Sequence, residues 1–325
     1  MQAVWYSKNG EAADVLQFGE VPTPEPSAGE VRVKLVTSGV NPSDVKSRKA
    51  RPVADPYIIP HSDGAGYIDA VGAGVASKRL GERVWVWNAQ WKRPFGTASA
   101  YVCLPQAQAV TLPERISFEA GACLGIPALT AVEAVRLAGD LKNKTVLVVG
   151  GASAVGHYIT QLVVLAGGQV IATIGSDAKA EHATNAGAFA TVHYKTEAVA
   201  DRVKELTQGT GVDVIIDMDL STTTHLLTQG CLRPHGCLIC YGSNVPGDVP
   251  INFRNLLYTS VGLKFFLVYD LQDDARTYGL QRLDALLHAN SLQHTIGATF
   301  ALKDLVQAHQ AVESGKVLGN IVIQI

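Results

Sequence analysis

A glycine-rich turn is the stretch best suited to hold a charged ligand. It reads Gly150-Gly151-Ala152-Ser153-Ala154-Val155-Gly156 and follows the apolar run 146–149. A helical pattern begins inside the turn, and backbone N–H groups at a helix N-terminus favour a pyrophosphate. Ser153 stands where a middle glycine usually lets the backbone approach the phosphate. We predict a dinucleotide site here, although similar turns also occur in α/β proteins that bind nothing there.

The five cysteines are the other residues whose spacing could do chemistry. Cys231, Cys237 and Cys240 follow a C-x5-C-x2-C pattern, which could suggest a metal. The last two lie in an apolar, strand-like run, where successive side chains point to opposite faces. We therefore predict buried, reduced thiols rather than a metal site or a disulfide framework.

Composition limits the classes of partner. The 325 residues suffice for two domains, and 47% hydrophobic with 17% charged residues indicates large cores. The net charge is -2 and no basic stripe occurs, which argues against nucleic acid and anionic membranes. The first residues lack an apolar leader, and no apolar run reaches the roughly 18 residues of a membrane span. We expect a cytoplasmic protein.

The elements that must position the turn fall into two kinds. The first third predicts a barrel-like β domain, because short strands alternate with Gly/Pro turns; these strands are Glu30–Ser38, Ala65–Val71, Arg83–Trp87 and Ala98–Leu104. From about Glu119 helices and strands alternate, which indicates a doubly wound parallel sheet. Its helices are predicted at 154–166, 178–186, 197–207 and 221–231, and its strands at 145–149, 169–173, 190–193, 212–217 and 237–241. The tail adds a strand-like run at 261–268, helices at 272–289 and 303–314, and a strand at 320–325.

Several short motifs together resemble one family. They are Gly39-Val40-Asn41-Pro42-Ser43-Asp44, Pro60–Gly66, Gly81-Glu82-Arg83-Val84, Gly125-Ile126-Pro127 with Thr130-Ala131, the turn 150–156, Tyr241-Gly242-Ser243 and Ser314-Gly315-Lys316. In order and spacing the chain resembles the zinc-independent, zeta-crystallin-like quinone oxidoreductases of the medium-chain dehydrogenase/reductase superfamily. The resemblance implies an α/β protein in which a GroES-like β-barrel domain (1–123 and 266–325) is split around an inserted doubly wound Rossmann domain (124–265), with NADPH in the cleft between them.

The resemblance also bears on zinc. Zinc-dependent relatives carry ligands at positions that match Asn41, Ser62 and about Gly125, and none of these offers a thiolate or an imidazole. We therefore expect no metal site. Without a Lewis acid to stabilise an alkoxide, oxidation of alcohols is disfavoured. Reduction of an electrophilic acceptor such as a quinone or an enone is what we expect instead.

The choice of nicotinamide cofactor depends on the residues after strand 169–173. NAD sites of this type place a carboxylate there for the ribose 2′-hydroxyl. By resemblance, Ser176, Lys179 and Tyr194 match positions that contact the 2′-phosphate, which favours NADPH. Two alternatives stay open: Ser176 as a helix N-cap and Lys179 as a surface lysine. Asp177 would repel the phosphate if it pointed inward.

At the reacting end, the resemblance places Asn41 beside the nicotinamide and completes the cofactor contacts with Thr130, Gly242, Ser243 and Asn320. Asn41 could orient the carboxamide or donate a hydrogen bond to the acceptor oxygen; it could also be only a turn residue. Lys46 replaces a tyrosine that the family often carries, and it could act with Arg48 to stabilise a developing anion. Both could equally be surface charges. Trp87, Trp91 and Phe95 could line a flat slot or simply pack in a loop.

Three functions follow as hypotheses. The first is an NADPH:quinone oxidoreductase, the second an NADPH-dependent enone or alkenal reductase, and the third a non-catalytic, crystallin-like NADPH-binding protein. The run 261–268 is expected at a sheet edge, where it could pair with its copy in a second subunit. We therefore predict a homodimer.

Overall fold

The structure is a computed structural model that describes the whole chain, residues 1–325. It divides into two compact units, the first formed by 1–128, 287–289 and 294–325, the second by 129–286 and 290–293. The first division lies close to the predicted boundary at 123/124. The second lies at 286 rather than 265, because the helix that follows residue 272 packs within the second unit, where Gly279 lies against Leu129. No helix has the length and apolar character needed to cross a membrane.

The chain begins with the β-rich part of the first unit. Its elements are β1 (Gln2–Trp5), α1 (Ala12–Val15), β2 (Gln17–Glu20), β3 (Glu30–Val40), α2 (Pro42–Ala50), β4 (Asp63–Val71), β5 (Arg83–Val86), β6 (Tyr101–Pro105), β7 (Ala109–Thr111) and α3 (Phe118–Gly121). The alternation read from the sequence is confirmed in β3, where Val31, Val33 and Leu35 are buried.

The second unit alternates helices and strands. A π-helical turn at Leu124–Ala128 leads into it, followed by α4 (Leu129–Ala138), β8 (Thr145–Val148), α5 (Ala154–Leu165), β9 (Gln169–Ile174), α6 (Asp177–Asn185), β10 (Ala190–His193), α7 (Val199–Leu206), β11 (Val212–Asp217), α8 (Leu220–Thr223), β12 (Leu232–Cys240), α9 (Phe253–Thr259), β13 (Gly262–Phe265) and α10 (Asp273–His288). The chain then returns to the first unit with β14 (Ile296–Ala301), α11 (Leu305–Ser314) and β15 (Asn320–Gln324).

The main sheet of the first unit has seven strands. Their order is β14-β15-β3-β4-β5-β7, with β6 also paired to β3. The C-terminal strands thus complete a sheet that the N-terminal part begins, which confirms the predicted split β domain. Ile321 of β15 pairs with Val40 of β3, so Asn320 and Asn41 lie at neighbouring strand ends.

The second unit contains six parallel strands in the order β10-β9-β8-β11-β12-β13. This is the predicted doubly wound Rossmann sheet. The strand order reverses between β8 and β11, and ligands of such sheets bind at the carboxyl ends of the strands at that point. The glycine-rich turn after β8 and the residues after β11 therefore lie where a dinucleotide is expected.

Several stretches differ from the predicted secondary structure: the strand predicted at 261–268 is present only as β13, and β14 was not predicted. Two further differences have a clear physical reason. The expected helix 221–231 is reduced to α8 and a 3₁₀ turn, Thr224–Leu227, because the hydroxyls of Ser221, Thr222 and Thr223 bond to the carboxylates of Asp217 and Asp219. Such side-chain bonds compete with the helix. Helix α2, by contrast, was not predicted, since its polar residues show no apolar stripe.

Candidate functional site

The geometry of the glycine-rich turn explains two of its glycines. Gly150 has φ of 73°, and its N–H donates to the hydroxyl of Thr173 at 2.9 Å. A Cβ at Gly156 would lie 2.3 Å from the carbonyl oxygen of Gly150. The first position favours glycine for its backbone conformation and the second for its close packing. The turn can therefore bring the start of α5 tightly against the end of β8.

Ser153, the departure from the three-glycine pattern, starts α5. Its Oγ accepts the N–H of Gly156 at 3.0 Å, as an N-cap does. The N–H groups of Ala154 and Val155 lie in the same first turn, where no preceding helical carbonyl exists. Ala152 itself is buried. The arrangement presents amides and the positive end of the helix dipole to an anion.

The residues predicted for the 2′-phosphate lie after β9 and β10. Ser176 is the N-cap of α6, and its Oγ accepts the N–H of Lys179 at 3.4 Å, so this open alternative is confirmed. A capping serine still keeps a hydroxyl proton to donate. Tyr194 is 53% exposed and its hydroxyl lies across Gly175, 2.8 Å from where a Cβ would stand. Ser176 and Tyr194 therefore border the same glycine.

Two charged residues at this edge, Asp177 and Lys195, bear on whether a 2′-phosphate could bind there. Asp177 is exposed, so its carboxylate, which would repel a 2′-phosphate if it pointed inward, lies in solvent. The ammonium group of Lys195 lies 6.0 Å from the ring centre of Tyr194. Lys195 was not singled out from the sequence, where it was one lysine among many.

The segment after β12 is held by a carboxylate at the end of β11. Asp219 accepts the backbone N–H of Asn244 at 2.9 Å and its side-chain amide at 2.7 Å. Hydrogen bonds from Ser221 and Asn244 keep the pKa of Asp219 below its ordinary value despite burial. Gly242 lies against Met218, with only 2.4 Å between a would-be Cβ and the Met218 carbonyl. Asp219 thus fixes the segment that contains Gly242 and Ser243.

In the first unit, Asn41 joins two buried carboxyl groups. Its Nδ2 donates to Asp63 Oδ2 at 2.8 Å, and its backbone N–H donates to Asp44 Oδ2 at 2.7 Å. Burial raises the pKa of Asp44 to about 7 and that of Asp63 well above its usual range, in spite of the bond from Asn41. Asp44 therefore has the structural, backbone-bonding role expected for it. Asn41 is more than a turn residue.

The three positions that match zinc ligands have different environments. A Cβ at Gly125 would lie 2.3 Å from Asp63 Oδ1, and Asp63 holds Asn41. Ser62 is buried, and no three His, Cys, Asp or Glu side chains converge as metal ligands anywhere in the chain. All five cysteines are free. Cys231 and Cys240 are buried, as predicted, whereas Cys237 is only half-buried. Burial raises the pKa values of all three thiols.

The remaining residues of the reacting end are dispersed. Lys46 is exposed on α2. Arg48 is fully buried, and its guanidinium donates to the Gly10 carbonyl, His309 and Glu313. The suggestion that Arg48 is a surface charge or an anion stabiliser is therefore wrong.

Two of the three aromatic residues have described ring contacts. Phe95 packs against Tyr57 with ring centres 5.3 Å apart, and the Arg51 guanidinium lies over the Trp91 ring. Whether these rings line a flat slot stays a prediction.

Two cofactor candidates are buried. Thr130 lies in α4 of the second unit and Asn320 at the start of β15 in the first. The side chain of Asn320 donates to the Thr295 carbonyl at 3.1 Å, so its amide is already oriented by its own unit.

Comparison with protein families and known proteins gives a consistent result. Residues 27–114 match the alcohol dehydrogenase GroES-like domain, and residues 154–285 match the zinc-binding dehydrogenase family. A quinone oxidoreductase of Pseudomonas aeruginosa is 30% identical over 95% of both chains. A 2-haloacrylate reductase of Burkholderia is 27% identical over 99% of this chain and 98% of its own.

Solved structures agree over the full length. The quinone oxidoreductase of Escherichia coli complexed with NADPH is 25% identical, with a TM-score of 0.89 and complete coverage of both chains. A structure described as an NAD-dependent alcohol dehydrogenase is 28% identical, with a TM-score of 0.89 and the same coverage.

Proposed function

Because the chain belongs to the zeta-crystallin-like quinone oxidoreductases of the medium-chain dehydrogenase/reductase superfamily, we propose that it reduces quinones with NADPH without a metal. The chain is an oxidoreductase of this superfamily. The identity of its acceptor is what we propose, and the residues of the site provide the argument.

The residues of the second unit fit NADPH, the cofactor found with its structural neighbours. The amides at the start of α5 suit the pyrophosphate, and Ser176, Lys179 and Tyr194 would hold the 2′-phosphate. The segment with Gly242 and Ser243, and the side chain of Thr130, would complete the contacts in this unit. When bound, the cofactor supplies the hydride, which is the demanding part of the chemistry.

One observation favours a metal-free reduction above the others. Of the three positions that match zinc ligands, Asn41 donates to the neighbouring Asp63 carboxyl group, Gly125 packs against that same group, and Ser62 carries only a hydroxyl. This donor set offers neither thiolate nor imidazole to a zinc ion. An acceptor activated by its own conjugation requires no Lewis acid, and quinones are such acceptors.

Two roles are considered for Asn41. Its Nδ2 donates to Asp63 Oδ2 at 2.8 Å, and Asn41 forms a reciprocal capping box with Asp44 at the start of α2. The bond to Asp63 fixes the orientation of the side-chain amide, and its Oδ1, which has two lone pairs, can accept a further hydrogen bond. We infer that Asn41 orients a carboxamide N–H of the cofactor, together with Asn320, rather than donating to the acceptor oxygen. Lys46, exposed on the same helix, is the residue proposed to stabilise a developing anion.

A second candidate function is the reduction of a conjugated alkene. The similarity to a 2-haloacrylate reductase favours it, since a haloacrylate is also a conjugated acceptor. The same residues would serve both reactions. The third possibility, NADPH binding without turnover, is separated from both by kinetics.

Steady-state oxidation of NADPH tests the proposal. Purified protein should oxidise NADPH with 1,2- or 1,4-quinones faster than with small enones or 2-chloroacrylate, and NADPH should be preferred to NADH. Faster turnover with the alkenes would favour the second function, and tight NADPH binding with no turnover the third. Stoichiometric zinc in active protein, or NAD⁺-dependent alcohol oxidation, would contradict the metal-free proposal.

A further inference from the structure

A buried chain of polar side chains runs through the first unit beneath Asn41. Six groups take part, each within hydrogen-bond distance of the next: Arg48, His309, His61, Ser38, Thr97 and the backbone carbonyl of Asp63. All of these side chains are buried. The contacts measure 3.1, 2.9, 2.9, 2.7 and 2.5 Å in that order.

One end of the chain fixes its direction. The Arg48 guanidinium can only donate, so Nδ1 of His309 must accept. A neutral His309 then carries its proton on Nε2 and donates it to Nε2 of His61. His61 in turn carries its proton on Nδ1 and donates it to the hydroxyl of Ser38.

The other end fixes the same direction independently. Thr97 has a single hydroxyl proton, which it donates to the Asp63 carbonyl. The proton between Ser38 and Thr97 must therefore come from Ser38, and Ser38 must accept from His61. Two separate arguments thus assign the same tautomer to His61.

His61 has a backbone conformation that is uncommon for residues other than glycine. Its φ is 79°, in the left-handed region that non-glycine residues adopt uncommonly, although histidine does so more often than most. Its side chain is fully buried, with both ring nitrogens bonded. These two side-chain bonds hold the ring in place.

The chain closes a ring through helix α2. Arg48 lies in the last turn of this helix and Asn41 is its N-cap. Asp63, at the far end of the chain, accepts from the Asn41 side chain. Both ends of α2 are therefore tied, through separate groups, to the start of β4.

We propose that His61 and His309 are positioning residues for the reaction: through Ser38 and Thr97 they hold Asp63, and Asp63 holds the Asn41 amide in the orientation that serves the cofactor. The inference rests on the proposed function, in which Asn41 contacts the nicotinamide end. The histidines transfer no proton to the acceptor, because the chain ends on a carbonyl.

Two substitutions at His309 test the role. His309→Gln keeps an acceptor for Arg48 and a donor for His61, whereas His309→Leu removes both. With NADPH and 1,4-benzoquinone, we expect His309→Leu to lower kcat about tenfold with KM little changed, since misplacement of a positioned group slows chemistry. His309→Gln should recover most of the loss. The primary isotope effect with 4-deuterated NADPH should rise in the leucine variant. Unchanged kcat, or no rescue by glutamine, would overturn the proposal.

A matched pair on β3 guards against a general loss of stability. Ser38→Ala interrupts the chain at one atom, and it decides the question if His309→Leu does not fold. Its neighbour Thr37 is equally buried but bonds to the Phe118 carbonyl at 2.7 Å, outside the chain. We expect Thr37→Val to keep wild-type kcat while Ser38→Ala loses it. Equal losses in both variants would make the chain merely structural.

Nuclear magnetic resonance supplies a readout that needs no turnover. In the wild-type protein at neutral pH, long-range ¹⁵N–¹H spectra should show His309 protonated on Nε2 and His61 on Nδ1, both neutral. The side-chain amide signals of Asn41 should shift in Ser38→Ala and not in Thr37→Val. The opposite tautomers, or an Asn41 signal indifferent to Ser38, would overturn the inference. Wild-type protein without quinone turnover but with these signals would contradict only the proposed function.

Discussion

At the scale of single residues, the site separates into what sequence spacing reveals and what it cannot. The glycine-rich turn and Ser176 were predictable because each belongs to a local pattern next to a strand. Asp63, His61 and His309 were not, since their roles depend on contacts between distant parts of the chain. His61 and His309, for example, are separated by 248 positions.

Lys179 gives the first prediction. Replacing it with alanine removes an ammonium group that would bond to the 2′-phosphate, and a charge-assisted hydrogen bond is worth about 1.5–3 kcal/mol. We expect the Kd for NADPH to rise about tenfold or more, with the Kd for NADH unchanged, in a fluorescence titration. Lys142→Ala, at an exposed lysine of the same unit, is the control. Equal weakening of both cofactors would count against a 2′-phosphate contact.

Asn41 gives the second prediction. Asn41→Ala removes the amide that Asp63 orients and should lower kcat by roughly ten- to a hundredfold with quinones, in the range of other polar groups at reacting centres. The Kd for NADPH should change little, because most of the proposed contacts to the cofactor lie in the second unit. Stopped-flow measurement of the single-turnover rate checks this. A rate close to that of the wild type would reduce Asn41 to a structural N-cap.

Lys46 is tested on its own. If its charge stabilises a developing anion, Lys46→Met should lower kcat severalfold and Lys46→Arg should retain it, because only the charge is required. Lys49→Met on the same helix, whose ammonium pairs with Glu11 and Glu313, is the comparison. Steady-state rates equal for Lys46→Met and wild type would remove Lys46 from the mechanism.

At the scale of elements, parallel strands were predicted better than short helices. Buried strands such as β8 and β11 read as apolar, β-branched runs between turns. Helix α2 was not predicted because its polar sequence is stabilised by its cap and by the buried Arg48 rather than by an apolar face. The stretch 221–231 failed for the reverse reason, since its hydroxyl groups found carboxylate partners outside a helix.

The start of α5 carries the element-scale prediction. Ser153→Ala removes the N-cap bond to Gly156 and should cost about 1 kcal/mol of unfolding free energy. Because the same turn would hold the pyrophosphate, NADPH should also bind more weakly. Ser153→Thr keeps the hydroxyl and should behave like wild type. Denaturant unfolding and NADPH titration measure the two effects, and a stable variant with unaltered affinity would show that the cap is dispensable.

At the scale of the whole molecule, the buried histidines affect stability towards acid. Burial, with a smaller effect of Arg48, lowers the pKa of His309 to about 3. In the unfolded chain this histidine binds a proton below about pH 6.5, whereas in the folded protein it stays neutral until the pH approaches 3. His309 therefore contributes stability that is present above pH 6.5 and is lost as the pH falls towards 3. The raised pKa of Asp44 acts in the opposite sense.

A comparison of variants measures the contribution of His309 to the pH dependence of stability. His309→Gln removes the titrating group but keeps Asp44, so the unfolding free energy of wild type relative to the variant should fall between pH 6 and 4. The expected slope is up to about 1.4 kcal/mol per pH unit. Parallel pH curves for wild type and His309→Gln would contradict the assignment.

Subunit assembly is the last prediction. Strand β13 ends the sheet of the second unit, so one of its edges offers unpaired backbone groups. Phe265 on β13 is 62% exposed, and Leu257 on the adjoining helix α9 is also 62% exposed. We propose that these surfaces meet their copies across a twofold axis. The double variant Phe265→Glu/Leu257→Glu should sediment as a monomer of 34.5 kDa, because like charges would face each other. Phe189→Glu, at an aromatic residue 61% exposed elsewhere in the same unit, should leave the dimer intact. A monomeric wild-type protein, or dissociation by Phe189→Glu alone, would contradict an interface at β13.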